Sequence, residues 1–473
     1  MISEYQITNF KSFAGPATIP VKPITLIFGP NSSGKSSLLQ SVLMLKQTLD
    51  DRAGEETPLL PKGSLADLGN FREFVYRHDV AKNFFFKMAI PIRDRYEISE
   101  KDEILNSLIS FKTMGLGITF SQHDNDLAVT EIGLFVGDNS DPIFTYELGQ
   151  PDKEADKEGT IRFARSYHHV AKLKNFNDGH EYWQKYQRLF ETPANKDHFK
   201  LNNYLTESVY DDASEEFMSL RESRSISHQI LFYASRLFKE SLRNLVYVGP
   251  LRRFPERYYT FTGNKTRYVG KSGEFVADIL ISDPKILDSI NEQFEHLCLG
   301  YELRVPNLTD QTSEIHNLLT LRLKERASGT HVGFTDVGFG ISQLLPIVVQ
   351  SMVSENQTLL IEQPELHLHP ALQAEMGDMF LRSALGENHN TFVIETHSEH
   401  LILRLLRRVR ETEEGELPEG IPSITPDDLS VLYVEPDEHG GSSEVIHIPV
   451  TKDGEFERPW PRGFFHERAK ELF

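Results

Sequence analysis

Four short segments of the chain hold residue types that could do chemistry together. The first, Gly29-Pro30-Asn31-Ser32-Ser33-Gly34-Lys35-Ser36, fits the pattern G-x-x-x-x-G-K-[ST]. Such a loop turns backbone N–H groups inward around phosphate, and the helix that follows adds roughly half a positive charge at its start. Lys35 would reach the terminal phosphates, the hydroxyl of Ser36 would meet Mg2+, and Ser37 is its spare neighbour. Gly29, Asn31, Ser32, Ser33 and Gly34 complete the expected cradle. The bland alternative is a Gly/Ser turn that matches by chance. Here the apolar run Ile24–Phe28 precedes the loop and apolar residues at helical spacing follow Lys35, so the segment predicts a nucleoside triphosphate site.

The second segment is the apolar run Thr358–Ile361 followed by Glu362-Gln363-Pro364-Glu365. A carboxylate at the carboxyl end of a strand neighbouring the phosphate-loop strand is where a Mg2+ ligand belongs, which nominates Glu362. The third is Thr391–Ile394, running into Glu395-Thr396-His397-Ser398. His397 could hydrogen-bond a γ-phosphate, although a histidine after a strand is more often structural. The fourth runs from Phe334 to Gln343, a Gly-rich turn with Gly338, Gly340, Ser342 and Gln343 just before an apolar helix. It would make a second phosphate-binding helix start; the alternative is a plain N-cap.

The elements that must position these segments follow from periodicity. Residues 3–9 alternate like a strand, and residues 80–150 hold alternating runs such as LAVTEIGLFV that predict antiparallel sheet. Residues 151–225 are polar, charged and aromatic, and are expected to form an insertion carrying helices. Ile230–Leu242 is an amphipathic helix, and Leu245–Val248 begins a second strand–helix series. The acidic, Pro-rich stretch ETEEGELPEGIPSITPDD is expected to link to a C-terminal piece. With α/β text at both ends, one sheet assembled from both ends of the chain is predicted.

The chain has 473 residues, with 50 Lys+Arg against 70 Asp+Glu for a net charge of −20. That field repels nucleic acid and anionic membrane, so contact with either needs a local basic patch. Arg404, Arg407, Arg408 and Arg410 are the candidate patch: a solvated face beside acidic neighbours is the simpler reading, DNA contact the sharper one. The single cysteine, Cys298, excludes an internal disulfide and a thiolate-rich metal site, and fits a reducing compartment. The start MISEYQITNFKSF is not a signal peptide, and no run of 18 apolar residues occurs; a cytoplasmic protein without membrane contact is expected.

Taken in order, the four segments resemble those of the ATP-binding-cassette ATPases, and ITNFKSF followed by GPNSSGKSS is similar to the opening of their RecF, SMC and OLD-type heads. Val248-Gly249-Pro250-Leu251-Arg252 with Pro255-Glu256-Arg257-Tyr258-Tyr259, and Asp67-Leu68-Gly69-Asn70-Phe71, look like a prokaryotic AAA-type ATPase family. Its members end in a short domain of unknown function, whose hallmark Trp460-Pro461-Arg462-Gly463-Phe464-Phe465 resembles. The resemblance covers both ends of the chain and leaves roughly 140–240 untouched. It implies an α/β fold: an ABC-type ATPase head, with a P-loop core sheet flanked by helices and an antiparallel β subdomain, a helical insertion and a short C-terminal domain. The corresponding boundaries are 1–139, 140–240, 241–410 and 411–473.

The resemblance also implies ATP and Mg2+ as cofactors, Glu362 as the Walker B acid, residues 336–343 as the signature and His397 as the switch histidine. ATP would sit between two heads, with Gly340 and Ser342 acting in trans, in a homodimer or higher oligomer. Cassette ATPases usually follow the Mg2+ acid with a glutamate; here that position is Gln363, and an amide cannot take a proton. Either Glu365 replaces it or hydrolysis is slow, and slow hydrolysis is the expectation. Glu365, His367 and His369 could bind Zn2+ by their alternation; the segment lies between Pro364 and Pro370, where the family places an inter-subunit loop, and a dimer contact is favoured. Gln122 is a guess for the Q-loop glutamine.

Three functions compete. One is the sensor or scaffold ATPase of a prokaryotic anti-phage system of the Septu, PARIS or OLD-like kind, controlling a separately encoded HNH or Toprim nuclease. A DNA-repair or chromosome-maintenance ATPase of RecF/SMC type, binding DNA directly, is the alternative. A transporter subunit fits least, because the signature reads GFGISQ rather than LSGGQ.

Overall fold

The apolar run Ile24–Phe28 sits inside a six-stranded sheet assembled from both ends of the chain. In the computed structural model the described residues are 1–51, 57–92, 112–123, 126–137, 141–142, 144–148, 152–155, 161–164, 167–170, 201–202, 205–206, 226–261, 263, 265–306, 318–437 and 439–461. They group into two compact units, residues 1–19 with 37–243 and residues 20–36 with 244–473.

The second unit is built on β1 (Ile24–Phe28), β2 (Leu245–Val248), β3 (Thr358–Glu362), β4 (Thr391–Glu395), β5 (Leu429–Glu435) and β6 (Glu444–His447). The sheet order is β2-β3-β4-β1-β5-β6. The first five strands are parallel and β6 returns antiparallel at the edge. Strands β1 to β4 are buried at every position, which is why they read as continuous apolar runs rather than alternating ones: helices cover both faces. Helices α2 (Phe339–Val353), α3 (Pro370–Leu385) and α4 (Glu399–Glu414) supply much of that cover, with Leu344, Val348, Met379, Phe380, Leu401 and Leu405 in the core. Helix α1 (Lys35–Asp50) opens directly from the phosphate loop.

Two expectations change here. The strand that neighbours β1 is β4, not β3; the strand ending in Glu362 lies one place further out. Only hydrogen-bonded pairing decides this, and both strands carry the same apolar text. The C-terminal stretch set beyond a linker also sends a strand into the core: β5 pairs with β1, Val431 opposite Leu26 and Tyr433 opposite Phe28. Trp460 then packs edge-on against Phe28, ring centroids 5.2 Å apart, and against Phe456 at 5.0 Å. Residues 462–465 of that hallmark lie outside the described residues.

The arginine run on α4 proves to be half internal. Asp378 on α3 accepts from Arg404 Nη1 at 2.6 Å and from Arg408 Nε and Nη2 at 2.8 and 2.7 Å. Arg404 also pairs with Glu375, and Arg408 with Glu411. Burial would push the Asp378 carboxyl up, but hydrogen bonds from Arg408 and the charge of Arg404 outweigh it and hold it below the usual range. These two arginines therefore join α3 to α4 and are not a DNA-facing surface. Asp378→Ala takes one partner each from buried Arg408 and part-buried Arg404 and is expected to cost about 3–5 kcal/mol, read as a lower urea midpoint.

The first unit carries a seven-stranded sheet in the order Tyr167–Val170, Phe144–Leu148, Asp126–Val136, Thr113–His123, Phe84–Pro91, Glu4–Thr8, Ala17–Pro20. Its strands from Tyr167–Val170 through Glu4–Thr8 pair antiparallel, as the alternation predicts. Phe10, Phe74, Phe84 and Phe120 form an aromatic core at centroid distances of 5.2 to 5.6 Å. The DLGNF segment has a structural account. Asn70 Oδ1 accepts from the Glu73 N–H and Glu73 Oε2 accepts from the Asn70 N–H, a capping box that turns Phe71 and Phe74 inward. The helix expected at Ile230–Leu242 spans Ile226–Arg243. Within the insertion expected to carry helices, 151–225, the described residues are instead strands, Asp152–Ala155, Ile161–Ala164, Tyr167–Val170, Leu201–Asn202 and Leu205–Thr206, and the rest lies outside the described residues. Among the described residues no helix is long and apolar enough to cross a membrane.

Candidate nucleotide-binding site

The carboxyl ends of β1, β4 and β3 bring three of the four sequence segments to one edge of the sheet. The loop from Gly29 to Gly34 leaves β1 with φ of 147° at Gly29, 62° at Ser32 and 110° at Gly34. Gly29 must be glycine twice over: its φ is closed to side chains, and a Cβ there would stand 2.6 Å from the Val434 carbonyl oxygen of β5. Ser443 Oγ donates to the Ser33 carbonyl at 2.8 Å, so the C-terminal strands brace the loop from behind. Ser33 is buried, while Asn31 and Ser32 are exposed at the loop tip.

Lys35 is 4% exposed, and its Nζ donates to the carbonyls of Gly29 at 3.0 Å and Pro30 at 2.8 Å. Burial pulls its ammonium below the ordinary lysine value, opposed by the charges of Glu395 and Glu365. Two carboxylates thus act on one cation, with a third, Glu362, on the next strand out. Glu362 and Glu395 are register partners on adjacent strands, and Glu395 is in turn the partner of Ile27 on β1. Tyr247 on β2 donates to Glu362 Oε1 at 2.8 Å. Burial, and then the charge of Glu395, push the Glu362 carboxyl up to about 7 against that hydrogen bond. Burial likewise raises Glu395, opposed by a hydrogen bond from Ser36 and by Lys35.

The loops after β3 and β4 are tied together. Glu365 accepts from Thr396 Oγ1 at 2.7 Å and from the His397 N–H at 2.7 Å. Gln363 sits at φ 44°, with its N–H donating to the Glu395 carbonyl at 2.7 Å. A non-glycine residue in that region costs on the order of 1–3 kcal/mol, and the surrounding bonds hold it there. Arg252 Nη2 donates to the carbonyls of Glu362 at 2.9 Å and Gln363 at 3.4 Å. Burial drags this guanidinium down to about 10, opposed chiefly by Glu365. Burial and the nearby Lys35 lower His397, which favours the neutral ring.

The fourth segment presents backbone rather than side chains. Gly338 caps α2 and is exposed, with open space around an added Cβ. Gly340 is pressed against the loop after β3: a Cβ there would lie 2.7 Å from the His367 carbonyl oxygen. Ser342 and Gln343, expected to face phosphate, are buried. Ser342 Oγ donates to the Phe339 carbonyl at 2.6 Å, and Gln343 Nε2 donates to the Arg252 carbonyl at 3.3 Å. His369 Nδ1 caps α3 by accepting from the Ala371 N–H, and His367 packs against the Phe339 ring. Among the described residues no three His, Cys, Asp or Glu side chains converge as a metal centre. Gln122 lies on the strand Thr113–His123 of the first unit, and Ser37 falls on α1 one residue past Ser36.

Four residues with a part in this geometry carried no role in the sequence reading: Tyr247, Arg252, Glu395 and Thr396. Glu395 had a legible signal, since two strands each end in Glu. Tyr247 had none, because a tyrosine inside an apolar run reads as core. The donor set fits a hard divalent cation: carboxylates and a serine hydroxyl, with Glu395 Oε2 buried and accepting no hydrogen bond.

Residues 24–404 match the family described as "AAA domain, putative AbiEii toxin, Type IV TA system". Residues 424–473 match "Protein of unknown function (DUF3696)". No curated protein matches the chain. Among solved structures, an SMC head bound to the C-winged helix domain of ScpA is similar at 13% identity and a TM-score of 0.46, covering 95% of this chain and 98% of that one. The SMC head domain from Thermotoga maritima aligns at 11% identity and TM-score 0.38 over 95% and 99%. An SMC head with an extended coiled coil, bound to the C-terminal domain of ScpA derived from Pyrococcus furiosus, aligns at 12% and 0.40 over 95% and 96%.

Proposed function

Since the chain belongs to this AAA domain family, matched over residues 24–404, we propose that it binds ATP between two copies of itself and hydrolyses it slowly as a switch. The observation that carries the reading is Lys35, buried at the root of a glycine loop and under the charges of Glu395 at the end of β4 and Glu365 in the loop after β3. Gly29 to Ser36 hold the phosphates, and Ser36, with the acids at the ends of β3 and β4, holds Mg2+. That ion, when bound, offsets charge on the phosphate oxygens. His397, on a loop clamped by Glu365, faces the terminal phosphate. Hydrolysis is slow because Gln363 occupies the place of a proton acceptor.

The helix start at Gly338 and Gly340 is the surface offered to the nucleotide of a second copy. Exposed Gly338, with φ −56°, accepts any side chain locally. Gly338→Glu is therefore expected to keep the fold and block ATP-dependent dimers by placing a negative charge against phosphate. Light scattering with a slowly hydrolysed ATP analogue should show the mass doubling in the native protein and not in the variant. A native mass that ignores the analogue would sink the dimer.

The partner in this proposal is a separately encoded nuclease of an anti-phage system, held or released according to the nucleotide. Support comes from the family, whose description names a toxin of a toxin–antitoxin system. It comes also from a net charge of −20 and an arginine run whose members Arg404 and Arg408 are occupied inside the fold. Co-purification with the products of adjacent genes, with and without ATP, tests it: coupling must be reciprocal, so the effector must also change ATP affinity.

A further inference from the structure

We propose that Glu395 is a direct carboxylate ligand of the divalent cation that accompanies the nucleotide, and stands closer to it than Glu362. The inference rests on the ATP reading above and assigns the ligand set of that same site.

Strand order is the first argument. Neighbouring strands lie about 4.8 Å apart, so Glu395 on β4 is one spacing from the phosphate-loop strand and Glu362 on β3 is two, roughly 10 Å. Register is the second. Glu395 pairs with Ile27, the penultimate residue of β1, which carries it to the level at which the phosphate loop leaves the sheet. The Ser36 hydroxyl, the loop's own oxygen ligand, hydrogen-bonds Glu395, whereas Glu362 is occupied by Tyr247 on the far side.

The third argument is an unmet need. Glu395 is 3% exposed and its Oε2 accepts no hydrogen bond. A buried carboxylate oxygen without a donor is costly, and Lys35 already divides its ammonium between two loop carbonyls. A cation bound against Ser36 would satisfy that oxygen. The chemistry selects the ion class, because oxygen donors without thiolate or imidazole suit Mg2+ or Mn2+, and Mg2+ is commonly held by one or two carboxylates together with phosphates.

The competing account makes Glu395 only the counter-ion of Lys35. Affinity for a fluorescent ATP analogue, measured in EDTA and in Mn2+ with bound Mn2+ counted by electron paramagnetic resonance, separates the two. Glu395→Gln should lose Mn2+-dependent tightening by roughly ten- to a hundredfold. Its affinity in EDTA should stay level or rise, because a negative charge beside the phosphates is gone; Glu362→Gln should lose less. Full Mn2+ tightening in Glu395→Gln, or an equal loss with and without metal, would overturn the assignment. Native protein that binds no analogue under either condition would instead overturn the ATP reading. Cleavage of the native chain by Fe2+ placed in the site, with ascorbate and peroxide, needs no variant. Cuts at 395–396 support the assignment, and cuts confined to 362–363 refute it.

Discussion

Exchange of Lys35 for alanine abolishes useful ATP binding. The ammonium is buried, and the charges of Glu395 and Glu365 act on it. Removing one member of a buried, hydrogen-bonded charge cluster costs about 2–5 kcal/mol, which is roughly a 30- to 5,000-fold loss of affinity. The sign is certain from the charges that stay behind. Without Lys35, the carboxylates of β3 and β4 meet a triphosphate with no compensating cation on the loop. Calorimetric titration with ATP and Mg2+ reads the effect, and an affinity within threefold of the native value would remove Lys35 from the site. Melting of the nucleotide-free variant checks that the loop itself survives.

Exchange of Gln363 for glutamate accelerates ATP turnover, by about 10²- to 10⁴-fold if the new carboxylate works as a general base. The root of this side chain is well held. Its N–H is bonded to the Glu395 carbonyl, and its own carbonyl accepts from Arg252. A carboxylate added beside Glu362 and Glu395 would also be raised by burial and like charge, toward the range in which a base works near neutral pH. Glu365 is the rival for this role, but both its oxygens already accept hydrogen bonds from Thr396 and His397. It is placed to hold the loop that carries His397. Glu365→Gln should therefore weaken the response of His397 to nucleotide more than it slows the chemical step in the Gln363→Glu background. Unchanged turnover in Gln363→Glu together with full loss in Glu365→Gln would transfer the base role to Glu365. Single-turnover measurement with radiolabelled ATP separates chemistry from release.

Much of this site was legible because its parts are local. A glycine loop between an apolar strand and a helix announces itself in eight residues, and buried parallel strands announce themselves by unbroken apolar runs. The strands ending in Glu362 and Glu395 were found for that reason, and so was the antiparallel sheet, whose period of two needs only one exposed face. Ser342 and Gln343 were assigned to phosphate for an equally local reason. A polar residue near a helix start reads as a phosphate ligand or a cap, yet the turn of α2 directs both inward, to the Phe339 and Arg252 carbonyls.

The sequence by itself determined a glycine loop of the phosphate-binding pattern, two acid-tipped strands, a histidine just beyond one of them and a net charge of −20. Each depends on residue types within a window of about ten positions, where chain geometry is enough to relate them. Only the tertiary structure decided which acid-tipped strand lies against the loop, that the last strands of the chain brace it, and that Arg404 and Arg408 face α3 instead of solvent. Those are pairings across tens to hundreds of residues. Strands with interchangeable apolar text acquire different roles only when backbone hydrogen bonds choose their neighbours, and that choice moves the carboxylate of Glu395 to the edge of the phosphate loop.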